Sequence, residues 1–161
     1  MKYKTIFDLR TAGFEGFKSI RDLWKDCSNL PSAPGVYMVV RLTNATPGFL
    51  ERGTGGFFKG KDPNVSLEEL NENWVNDTCV VYIGKAGGML AKRLRQYLKF
   101  GQGKAVGHWG GRYIWQLKDA ADLLLCWKTL AVDDPRAVEK SFISEFKACY
   151  AGKRPFANLQ D

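Results

Sequence analysis

Hydrophobic positions along the chain return first at helical and then at strand-like intervals. SIRDLWKDC opens with an N-cap-type serine, Ser19, and places Ile20, Leu23, Trp24 and Cys27 on one helical face. The turn-rich LPSAPG gives way to VYMVVRL, a β-branched and aromatic run that predicts a strand. Residues 43–65 carry Thr, Asn, Pro and many Gly, the composition of a long irregular loop. SLEELNENW follows as a short helix opened by a capping pattern from Ser66 to Glu69. TCVVYIG predicts the next strand, broken at Gly84, and MLAKRLRQYLKF the next helix. RYIWQL and DLLLCWKTL predict two further strands, close enough for a hairpin or tight turn. DDPRAVEKSFISEFKACY has the strongest helical pattern, with Asp133 or Asp134 as N-cap, Pro135 in the first turn and Gly152 as a stop. The expected fold is a small α+β domain of about four strands and about four helices.

Composition narrows this picture. A chain of 161 residues with 45% hydrophobic and 13% aromatic content suits one domain with a buried core, residues 1–161, and residues 1–30 read as an N-terminal helical extension. A formal charge of +7 favours a polyanionic partner, either nucleic acid or an acidic membrane surface, although an ordinary basic soluble protein has the same balance. The amino terminus has no apolar signal region, and no window approaches the roughly 18 apolar residues of a membrane span. The expectation is a soluble, cytoplasmic protein. Cys27, Cys79, Cys126 and Cys149 are far apart, suggesting free thiols in or beside the core rather than a metal site or disulfide scaffold.

Two glycine-rich segments imitate phosphate loops. GGFFKGKD, residues 55–62, has the glycine and lysine spacing, but Asp62 stands where a magnesium-binding hydroxyl is needed. GQGKAVGHWGG, residues 101–111, lacks dinucleotide-fingerprint spacing and reads as a flexible basic loop. Its His108, the only histidine, has no ligand or nucleophile at a chemically useful spacing; a structural or surface role and a phosphate contact both stay open.

Two helices carry a charge on the apolar side. Advancing about 100° per residue from Glu139, Phe142, Ile143, Phe146 and Tyr150 fall within about 60°, whereas Glu145 lies at the edge. On the preceding helix Arg93 falls among Met89, Leu90, Tyr97 and Phe100. Such charges are costly unless paired or ligating, so the sequence allows either a buried Glu139–Arg93 ion pair or a functional site.

These residues resemble the GIY-YIG endonuclease superfamily. PGVY at 34–37 is similar to the first motif, with Val for Ile, and VVYIGKA at 80–86 to the second. LAKRLRQYL is similar to the following helix, VEKSFI at 138–143 to the metal-binding Glu segment, and PFAN at 155–158 to the closing element. The resemblance implies a small antiparallel sheet flanked by helices and active-site roles for Tyr37, Tyr82, Gly84, Lys85, Arg93, Tyr97, Glu139 and Asn158. The first two motifs are about a dozen residues apart in the family; here residues 41–78 separate them and read as an insertion.

The implied reaction is hydrolysis of phosphodiester bonds in nucleic acid, expected to be DNA, with Mg2+ (Mn2+ as a substitute) on Glu139 and no organic cofactor. Arg93 would hold the scissile phosphate. Tyr37 or Tyr82 would act as general base if cations favour the phenolate, and Gly84 would end its strand and admit phosphate. Asn158 would orient Glu139 or a tyrosine. Lys92, Arg95, Lys99, Lys104, His108 and Arg112 form the expected nucleic-acid-binding set. The alternatives are a non-catalytic nucleic-acid-binding module on the same fold and a basic interaction domain.

Overall fold

Local capping starts the helices. In the computed structural model, which describes residues 1–161, Thr5 and Asp8 cap each other reciprocally to open α1 (Ile6–Thr11). The edge strand β1 (Glu15–Ser19) runs directly into α2 (Ile20–Lys25), whose N-cap is Ser19. β2 (Gly35–Val40) is followed, after a long connection, by α3 (Leu67–Asn73), capped by Ser66 as the sequence predicts. β3 (Val80–Ala86) leads through two exposed glycines into α4 (Leu90–Gly101). β4 (Leu124–Thr129) precedes α5 (Pro135–Cys149), where Asp134 accepts from two backbone N–H groups and Pro135 fills the first turn.

The fold is α+β, with one four-stranded antiparallel sheet in the order β1-β4-β2-β3. β2 is central and buried along its whole length, so both faces are covered. Val36, Met38 and Val40 pack with Ile83, Ile143 and Phe146 on the side of α1 and α5. Tyr37 and Val39 pack with Leu90, Leu94, Tyr97 and Trp115 on the side of α2 and α4. β3 is the outer strand. Its far edge receives the C-terminal segment, where Ala157 N–H donates to the Val81 carbonyl at 2.9 Å.

Several sequence expectations change. RYIWQL is no strand: Arg112–Gln116 is a 3₁₀ segment. Tyr113 to Gln116 are buried at consecutive positions, without the alternation a half-buried strand requires. Gln116 binds the insertion instead, donating from Nε2 to the carbonyls of Leu50 and Val65 at 3.0 and 2.9 Å and accepting from Val65 N–H. No hairpin to β4 therefore forms. The fourth strand is β1, inside the segment expected to be helical, where Gly16 and Phe17 adopt positive φ and the register with β4 shifts. β3 does not break at Gly84 but continues to Ala86.

The four cysteines are free; Cys79 and Cys126 are buried, whereas Cys149 is exposed. GGFFKGKD is loop, with a single bridge between Phe58 and Lys61. No helix is long and apolar enough to cross a membrane.

Candidate active site

At the outer edge of β3, both faces of the sheet open into one cleft of about 500 Å³. Antiparallel pairing places Tyr37 opposite Gly84 and Val39 opposite Tyr82, which puts the two tyrosines on the α4 side. Lys85, displaced by one residue from Gly84, points to the opposite face. There α5 presents Glu139, whose Oε2 lies 3.0 Å from Lys85 Nζ. Tyr37, Tyr82, Lys85, Arg93, Glu139 and Asn158 all line this cleft, although they come from β2, β3, α4, α5 and the C-terminal segment.

Gly84 has a different job from the one expected. A Cβ at this position would stand 2.5 Å from Cζ and 2.6 Å from the hydroxyl oxygen of Tyr37. The missing side chain makes room for a tyrosine, and the strand passes through. Arg93 is half-buried and donates from Nη1 to the Gly107 carbonyl at 3.1 Å. The ion pair with Glu139 allowed by the helical pattern is therefore replaced by Lys85–Glu139. Glu145 serves the scaffold, accepting from the Tyr3 hydroxyl at 3.3 Å.

Asn158 also departs from its expected role. Its Oδ1 accepts from Ile83 N–H and its Nδ2 donates to the Ile83 carbonyl, each at 2.9 Å. The amide thus imitates one residue of an added strand and fixes β3 between Tyr82 and Gly84, rather than touching Glu139 or a tyrosine ring. Tyr97 stands behind the cleft, fully buried, with no partner for its hydroxyl. Burial raises its pKa well above the ordinary phenol value.

His108 is the residue the sequence left ambiguous. It is fully buried and, unlike the equally buried Tyr37, does not line the cleft, so it stands behind any phosphate bound there; its Nε2 lies 2.8 Å from the Tyr37 hydroxyl. The 101–111 segment is mostly exposed and turns inward at His108, between the half-buried Val106 and Trp109. Of the expected basic set, Lys92, Arg95, Lys99 and Lys104 are exposed. Arg112 is committed elsewhere, with its guanidinium over the rings of Trp109 at 4.7 Å and Tyr113 at 5.5 Å. In its place Arg136 and Lys140 line the cleft, although the helical pattern sets Lys140 on the solvated side of α5.

Burial pushes the Tyr82 hydroxyl up to about 12, against a smaller opposing effect of Arg93, and raises Tyr37 well above the ordinary phenol value. Both phenols are neutral near pH 7. The cleft has no cluster of three or more acidic, His or Cys groups. Asp161, also at the cleft wall, is held by Lys147 and Arg154, leaving Glu139 as the inward carboxylate. That donor set fits a hard cation of the magnesium type, which needs few protein ligands when phosphate and water complete its shell.

Comparison of the chain with protein-family models, with curated proteins and with solved structures returns no match.

Proposed function

We propose that this protein is a metal-dependent endonuclease of the GIY-YIG type that hydrolyses phosphodiester bonds, with DNA as the expected substrate. The observation that carries the reading is the convergence of Tyr37, Tyr82, Lys85, Arg93 and Glu139 from four separate elements on one cleft. A scaffold alone does not require two tyrosines, two cations and a carboxylate at one edge of a sheet.

Each group has a defined task in that reaction. Arg93 keeps N–H donors beyond its bond to Gly107 and offers them to the scissile phosphate, where a charge-assisted contact strengthens as negative charge builds. Lys85 adds a second cation while holding Glu139 in place. Tyr82, a neutral phenol, donates to a non-bridging oxygen or orients the attacking water. Tyr37 faces the cleft and receives the proton of that water. Glu139 would hold Mg2+ or Mn2+, which when bound supplies Lewis-acid stabilisation of the leaving oxygen. The exposed Lys92, Arg95, Lys99 and Lys104 supply sequence-independent contacts to flanking phosphates.

The test is incubation with plasmid, linear, single-stranded and branched DNA plus magnesium or manganese, alongside Glu139→Ala and Tyr82→Phe. Cleavage by the wild type and its loss in both folded variants supports the reading. Equal cleavage by all three proteins identifies a contaminant, and binding without cleavage favours a non-catalytic module.

A further inference from the structure

Tyr37 confronts the nuclease reading with a difficulty. It is fully buried, so an isolated phenolate there is strongly disfavoured, and the raised pKa is largely a consequence of that burial. No lysine or arginine bonds its hydroxyl; it meets His108 Nε2 at 2.8 Å, with Tyr82 beside it. Tyr37 lines the cleft and His108 does not, so the phenol stands between the substrate space and the imidazole.

The direction of that hydrogen bond follows from which imidazole nitrogen carries the proton. If Nε2 carried the proton, the Tyr37 O–H would lose this acceptor and Nδ1 would be an unsatisfied acceptor as well. If Nδ1 carries it, Tyr37 donates to Nε2 and one buried donor, Nδ1–H, lacks a partner. Only the second arrangement makes Nε2 the acceptor of the Tyr37 proton, and it is the one that a relay from Tyr37 requires. The groups facing the imidazole are Tyr37 from β2, Tyr82 from β3, and Tyr97 and Arg93 from α4. None is an anion, and burial followed by the Arg93 charge holds the imidazole pKa well below 6.5, so His108 rests neutral and able to accept.

We propose that His108 is a positioning and proton-accepting residue that acts through Tyr37, forming a two-step relay from the cleft to the interior. The proposal rests on the nuclease reading for its chemistry, though not for the existence of the pair. As the oxygen of water bonds to phosphorus, one water O–H breaks and its proton passes to the Tyr37 oxygen. The Tyr37 proton passes in the same step to His108 Nε2. The bond from phosphorus to the leaving oxygen breaks, and that oxygen keeps the electron pair and takes a proton from solvent. The imidazolium then returns its proton from Nε2 to the Tyr37 oxygen as the Tyr37 O–H proton passes to water in the cleft, which restores the neutral pair. Tyr37 never becomes a free phenolate, and a phosphate held by Arg93 offsets the charge that otherwise opposes protonation of the ring.

The insertion supports this arrangement. Gly56 N–H donates to the Phe100 carbonyl at 2.9 Å, and a Cβ on Gly56 would fall 2.0 Å from the Lys104 carbonyl oxygen. The Phe58 ring packs against Gly107, next to His108. Residues 41–78 therefore brace the segment that delivers the imidazole.

Because the chain has a single histidine, its imidazole resonances are unambiguous in the intact 161-residue chain. Nitrogen-15 NMR at neutral pH should show the Nδ1–H tautomer, with an Nε2 shift that moves in Tyr37→Phe; an Nε2–H tautomer, or a shift indifferent to that substitution, overturns the pair. In cleavage assays, folded His108→Gln should lose about a hundredfold or more in kcat with little change in KM, and should lose the acid limb of the pH profile. Tyr37→Phe should match it, and the double variant should be no worse than either single one. Wild-type kcat and an unchanged pH profile in His108→Gln overturn the relay. If the wild type cleaves none of the DNA substrates, the nuclease reading and the relay fall together, while the tautomer measurement still decides the pair.

Discussion

The ring of Tyr37 occupies the space that a side chain on its cross-strand partner, Gly84, would need, with only 2.5 Å separating Tyr37 Cζ from a Cβ built there. A motif glycine beside a proposed phosphate site is thus explained by a neighbouring tyrosine. Gly84→Ala should overpack the β2–β3 contact and lower stability by about 1–3 kcal/mol, measured by urea denaturation. It should also displace Tyr37 and reduce cleavage, whereas Gly88→Ala, with nothing within 4 Å of its added Cβ, should do neither.

Lys85 and Glu139 separate scaffold from chemistry. Their ion pair is partly exposed, with 38% of the Lys85 and 15% of the Glu139 side chain accessible, so it contributes little to stability. Glu139→Gln should unfold within about 1 kcal/mol of the wild type and yet lose more than about a thousandfold in cleavage. A variant with large stability loss and proportionate activity loss would reveal a structural pair instead.

Acidification should test the burial of His108 directly. Its folded pKa lies below the unfolded value, so the unfolded chain takes up the proton first as pH falls. This contribution to stability is fully present above about pH 6.5 and is lost as pH drops from there toward the folded pKa. Below pH 6.5 the wild type should lose stability more steeply than His108→Gln, by at most one proton, or about 1.4 kcal/mol per pH unit. Parallel curves would show that the imidazole is solvated.

Salt titration should sort the cations. Lys92→Ala and Lys99→Ala, at exposed positions on α4, should each reduce the slope of log K against log salt by about 0.9 if they meet duplex phosphates. Arg112→Ala should leave that slope unchanged and lower the melting temperature, because its guanidinium is stacked over Trp109 and Tyr113.

What the sequence made legible is what local chemistry determines. Ser19, Ser66 and Asp134 cap their helices because a cap needs partners only two or three residues away. Arg93 and Glu139 stood out because a charge on an apolar face breaks a short-range pattern. The edge strand β1 was hidden: its EGFKS sequence is largely exposed and its partner, β4, is more than 100 residues distant. RYIWQL was misread because aromatic and β-branched composition signals burial, which a 3₁₀ segment satisfies equally well. His108 carries no partner in its own neighbourhood, since Tyr37 lies 71 positions away. Asn158 was placed at the site by motif, but its grip on the Ile83 main chain appears only once the tail reaches the sheet edge.

The insertion has a kinetic consequence as well. Val40 pairs with Val80, so the connection between β2 and β3 closes a loop of about 40 residues where a tight turn would otherwise suffice. The remaining ladders, β2 with β4 and β1 with β4, close loops of more than 80 and more than 100 residues. No neighbouring pair in the sheet is a local hairpin. Helices are then the early local structure, and the strands pair only after distant segments meet, which places refolding among the slower, high-contact-order domains and delays assembly of the Tyr37 and Tyr82 edge until most of the chain is present.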